Sequence, residues 1–160
     1  MKELFHQFDA QARHQIQDSL LRSRIIAAAV ATAIAQSQPL PSSEVAHASE
    51  YFTNHVMPAA MSIISEFNES IVFDTAATLD QTRMLWQLRY FSAYRPNHQL
   101  LLGEGNFFTA FTGIDVIVSD NFYAFMNSNA AAVVNLSLFA TDIIRSQAAA
   151  QVQAAGVAAR

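Results

Sequence analysis

The stretch SSEVAHASEYFTNHVM, residues 42–57, places two histidines, two glutamates and a tyrosine in a segment with helical spacing. At about 100° per residue, Glu44, His47, Tyr51 and His55 share one stripe. The stripe borders an apolar face of Val45, Phe52, Val56, Ala59 and Ile63. Glu66 and Glu69 rejoin it if the helix stays nearly straight past Pro58. Carboxylates and imidazoles in this order suit three kinds of chemistry: a metal site, a pH-sensitive contact, or a polar edge that reaches water.

Glu44-Val45-Ala46-His47 has the E-x-x-H spacing that carboxylate-bridged di-metal bundles place on each of two helices, alongside further glutamates from two others. Spacing on one helix does not make such a site, and neither a metal nor another cofactor is expected. The plainest reading is a solvated polar edge. The sharper reading is a contact between subunits, with Glu44, His47, Tyr51 and His55 facing Arg83, Arg89 and Arg95 of another helix. Histidine changes charge near physiological pH, so protonation would weaken that contact.

Other catalytic patterns are missing. There is no G-x-S-x-G, H-E-x-x-H or Walker sequence, and Gly103-Glu104-Gly105 puts a carboxylate where a phosphate would sit. His98 follows Pro96-Asn97 without a carboxylate partner nearby in sequence. No catalytic residues are assigned, and the chain reads as a non-enzyme. An aromatic group, Phe107, Phe108, Phe111, Phe122 and Phe125, would line an apolar ligand pocket in the alternative reading, a ligand-binding or sensory helical domain. Aromatic residues at such density are more often core.

The elements that would hold these residues are helical. The pattern predicts an all-α, single-domain bundle of five to six helices over residues 1–160. Long helices are expected near 9–37, 43–68, 78–95 and 129–155, with short aromatic helices between 97 and 128. Pro39 and Pro41 separate the first two, and Pro58 should kink the second. Thr78 and Gln81 have capping-box spacing at the start of the third, and Gly156 is the expected terminator of the last. A strand over 114–118 would have nothing to pair with.

Composition narrows the function. Hydrophobic residues make up 52% and charged residues only 14%, where roughly 25% is ordinary. The net charge of −4 argues against direct nucleic-acid binding. The chain has no cysteine, which removes disulfides and thiolate chemistry. The apolar stretch from Ile25 to Ala35 is too short to span a bilayer, and the opening residues carry no signal-like apolar region. A cytoplasmic or virion location is therefore expected.

The third helix sets Trp86, Tyr90 and Tyr94 on one side and Met84, Leu88 and Phe91 on the other. The last helix is apolar over most of its girth, with Val133, Leu136, Ala140, Ile143 and Ile144 in front, flanked by Val134 and Leu138. Helices apolar all round are buried on all sides, and two or three are hard to hide in one chain. The sequence thus predicts a structural subunit that self-associates with copies of itself, such as a viral or phage shell, coat or inner-capsid protein. Trp86, Tyr90, Tyr94, Leu136, Phe139 and Ile143 are the apolar contact residues in that expectation.

Overall fold

In a computed structural model the backbone is described for residues 2–70, 74–94, 107–108, 116–117 and 120–158. The architecture is all-α. Helices α1 (Lys2–Gln15), α2 (Ser19–Ser37), α3 (Val45–Tyr51), α4 (Met57–Ser70), α5 (Thr75–Tyr94), α6 (Asp120–Ser128) and α7 (Ala130–Ala158) follow in chain order. A π-helical turn, Phe52–Val56, joins α3 to α4.

The centre of the fold is α2. Every residue from Ile25 to Ala35 except Thr32 is buried. It packs most extensively on α7 and α5 and also touches α1 and α4. Alanine allows this: a helix faced with methyl groups admits neighbours on several sides without leaving voids. Thr32, the one polar interruption, donates its hydroxyl to Ala28 O at 2.7 Å. The segment that looks from sequence like a short apolar run is thus the spine of the bundle.

Around it, α1 contributes Phe5, Phe8, Ala12 and Ile16, one face at helical spacing. Phe67 of α4 meets Phe5 and Phe8 edge to face, at centroid distances of 4.6 and 5.0 Å. Phe139 of α7 meets Phe8 from the other side at 6.5 Å. A single hydrophobic cluster runs through α1, α2, α4, α5 and α7.

Several expected boundaries move, each for a local reason. The single helix expected over 9–37 is two helices. Asp18 is extended and its side chain accepts from Leu21 N at 2.8 Å, so it caps α2 with no proline or glycine present. Ile16 turns into the core just before the break, and Arg22 donates to its carbonyl at 3.3 Å.

The single helix expected over 43–68 is interrupted by the π-turn, just upstream of Pro58. Met57 N donates to Phe52 O, five residues back, immediately before the residue that has no N–H. The helix expected over 78–95 begins at Thr75, because Asp74 rather than Thr78 is the cap: its carboxylate accepts from Ala77 N at 3.2 Å. Thr78 and Thr82 are fully buried instead, and each hydroxyl donates to the carbonyl four residues back at 2.8 Å.

The last helix runs past the expected stop at 155 and through Gly156 to Ala158. Of the short aromatic helices expected between 97 and 128, α6 is one. At the other position Phe107–Phe108 is a two-residue strand, paired antiparallel with Val116–Ile117, which lies against α5. The strand that lacked a partner in sequence therefore has one.

Phe67→Ala is expected to lower unfolding free energy by about 3–5 kcal/mol, because it opens a cavity between α1 and α4. Met61→Ala, at a position 56% exposed, should change it by no more than about 0.5 kcal/mol. Urea denaturation of the two variants checks the assignment, and equal losses would contradict it.

Candidate functional site

The polar groups converge where α5 crosses the connection between α2 and α3. Three side chains from one face of α5 reach backbone carbonyls there. Arg89 Nη1 donates to Ala35 O and Gln38 O at the C-terminus of α2. Tyr90 donates its hydroxyl to Ser43 O at 2.6 Å, and Trp86 Nε1 donates to Ala48 O at 3.4 Å. A helix terminus leaves its last carbonyls unpaired and carries partial negative charge, so a guanidinium is the fitting partner for both reasons.

Above this junction lies a ladder of rings. Tyr51 stacks on Trp86 with centroids 5.5 Å apart and planes 12° from parallel. His55 lies against Tyr51 with ring centroids 4.6 Å apart and planes tilted by 40°. Arg89 approaches the Trp86 ring at 5.9 Å. The buried end is Trp86, and the exposed end is His55. Beside it an open hollow of about 350 Å³ is lined by Ser42, His47, Glu50, Tyr51, Asn54 and His55.

At the edge of that hollow, Ser42 and His47 of its lining, with the neighbouring Glu44, have the residue types of a hydrolytic relay but not its geometry. Ser42 Oγ lies 2.6 Å from His47 Nδ1, and Glu44 Oε2 lies 3.3 Å from the same nitrogen. A nucleophile–histidine–acid relay needs the hydroxyl and the carboxylate on opposite ring nitrogens. Here they compete for one. The ion pair is also solvent-exposed, 53% for His47 and 72% for Glu44. An exposed pair contributes at most about 1 kcal/mol.

Glu3-Leu4-Phe5-His6 on α1 is a second E-x-x-H that the sequence reading passes over. Glu3 and His6 are exposed while Phe5 between them is buried. No group of three or more histidine, aspartate or glutamate side chains suited to a metal occurs among the described residues.

The remaining expected site residues are redistributed. Trp86, Tyr90, Leu136 and Ile143 are at most 1% exposed, and Phe139 packs half-buried against the core. They are covered by the chain's own helices, chiefly α2, which corrects their assignment to a contact between subunits. The side chain of Tyr94, and with it Leu88, Phe91 and Arg95, lies outside the described residues. So do the side chains of Phe107, Phe108, Phe111 and Phe122 of the expected ligand pocket. Phe125 is half-buried, with the Arg24 guanidinium 4.5 Å above its ring, which ties α6 to α2.

Among the described residues no arginine pairs with an acid of the 45–70 segment. Arg83 pairs with Asp80 at 2.8 Å on its own helix, and Arg89 is engaged at carbonyls. Glu66 is exposed, and the side chain of Glu69 lies outside the described residues. A cleft that no sequence motif signals, about 330 Å³, opens between α2, α4 and α7 at Ile34, Ser37, Ser62, Ile63, Ile144 and Gln147. Among the described residues, the large apolar side chains that reach solvent are Leu20, Leu21, Met61, Val134, Leu138 and Val152.

No family model, curated protein or solved structure matches the chain.

The site reads as a structural clamp with a polar rim. Arg89→Met should cost about 1–3 kcal/mol, since it leaves carbonyls without a donor, and Tyr90→Phe about 0.5–1.5 kcal/mol. His47→Ala should stay within about 0.5 kcal/mol. Urea unfolding of the three checks this order, and a His47→Ala loss as large as that of Arg89→Met would refute it.

Proposed function

We propose that this chain is a non-enzymatic helical subunit that associates with copies of itself by burying apolar helix surface between them. The observation that carries the reading is the outer side of α7. Val134, Leu138 and Val152 are 56%, 62% and 71% exposed, although they belong to the longest helix of the fold. The opposite side, Val133, Leu136, Ala140 and Ile143, already holds α7 to the body. Toward the C-terminal end the described side chains at 148–150, 152 and 153 are all exposed.

The magnitudes favour association of modest strength per contact. Burying one such aliphatic side chain contributes about 1.5–3 kcal/mol. Bringing two molecules together costs about 4–15 kcal/mol. Three side chains from each of two copies sit near that threshold. Further exposed apolar side chains on other elements, Leu20 and Leu21 on α2 and Met61 on α4, allow an assembly to extend beyond a pair. A viral or phage shell, coat or inner-capsid subunit, acting in the cytoplasm or within a particle, is the concrete form of this reading. That finer form rests on composition rather than on the site.

The mass in solution tests the proposal. The wild-type chain is expected to sediment above its monomer mass of 17.6 kDa, and Val134→Glu with Leu138→Glu to return it to a monomer of unchanged helical content. A wild-type chain that stays monomeric at every concentration overturns the reading.

A further inference from the structure

The exposed side of α7 specifies its own partner. Val134, Leu138, Thr141, Arg145, Ala148 and Val152 recur at alternating spacings of four and three residues, the seam spacing of a two-stranded coiled coil. All are exposed except Thr141, which is half-buried. The seam is distinct from the buried stripe of Val133, Leu136, Ala140 and Ile143, and on one flank Leu138 and Asp142 border α1, lining an open hollow with Gln11 and Gln15.

Resting on the self-association reading, we infer that a second copy of α7 docks on this seam, antiparallel, about a twofold axis at the level of residue 143. In that register the seam maps onto itself. Val134 of one copy meets Val152 of the other, Leu138 meets Ala148, and Thr141 meets Arg145. Each layer joins the two kinds of seam position, as antiparallel pairing requires, and the largest aliphatic residue faces the smallest.

Charge agrees with the same register. Asp142 flanks the seam and Arg145 lies within it. Both are exposed, and neither joins an ion pair among the described residues. The twofold brings Arg145 of each copy beside Asp142 of the other, which gives two symmetry-related pairs. A parallel pairing would instead stack Arg145 on Arg145, with like charges in one layer. From Val134 to Val152 the seam is about 27 Å long at 1.5 Å per residue.

The absence of cysteine makes the register directly readable. Chains carrying Val134→Cys alone and chains carrying Val152→Cys alone are mixed under mild air oxidation. Both positions are exposed, so folding should be preserved, as circular dichroism will check. The expected result is a disulfide-linked heterodimer several-fold in excess of either homodimer, since only that pair brings Cα atoms within bridging range. Homodimers of the Val134→Cys chain forming at least as readily would overturn the antiparallel register. An assembly by mass with no heterodimer would overturn the register and leave self-association standing. A monomer with no cross-link would overturn both.

A second readout uses charge. Arg145→Glu should weaken association several-fold, and adding Asp142→Arg to the same chain should restore it. Failure of that rescue would remove the pairing of the two residues across the axis.

Discussion

The satisfaction of the C-terminal carbonyls of α2 is the constraint on which the rest of the structure depends. A helix buried on every side gains apolar burial along its length but ends with backbone acceptors that water would otherwise hydrate. An unpaired buried carbonyl costs about as much as a good packing contact returns. Arg89 resolves the conflict by donating to Ala35 O and Gln38 O from the neighbouring helix. The same face of α5 then takes Ser43 O and Ala48 O through Tyr90 and Trp86. Helix position, loop path and the seat of α3 are thus decided together, and the polar rim around His47 and His55 is what remains outside.

The clamp also explains why chemistry-bearing residues gather at one rim. Tyr51 stacks on Trp86, and His55, four residues on, tilts against Tyr51, as neighbours one helical turn apart can. Ser42 and Glu44 meet His47 on a single nitrogen because they belong to the short connection and cap of α3, and so approach the ring from one side. The arrangement joins elements.

Much of the architecture was legible in the residues. Helical periodicity, the proline pair at 39 and 41, and the apolar front of α7 all correspond to what forms. The failures are instructive because each has a nearby physical cause. Asp18 and Asp74 act as caps through their carboxylates, a signal present in the sequence but outweighed by longer apolar patterns. Pro58 is accommodated by one wider turn upstream, which periodicity cannot reveal. Trp86, Tyr90, Leu136 and Ile143 were credited to a partner because the girth of their helices is apolar. The alanine face of α2 conceals them within one chain, and alanine carries too little hydrophobicity to advertise that role. Of the candidate site, the stripe of Glu44, His47, Tyr51 and His55 was visible. Its anchoring by α5 was not, because the separation in sequence between Trp86 and Ala48 leaves no trace in local pattern.

The methyl-lined spine has a consequence for how this molecule can vary. Where α2 meets α5 and α7, its neighbours rest on Cβ atoms, and there is no shorter side chain short of glycine to retreat to. Enlarging any one of Ala27, Ala28, Ala29, Ala31 or Ala33 would have to displace whole helices, since no rotamer can absorb the added volume. The alanine face therefore tolerates little added volume, and diversification is left to the outer circumference.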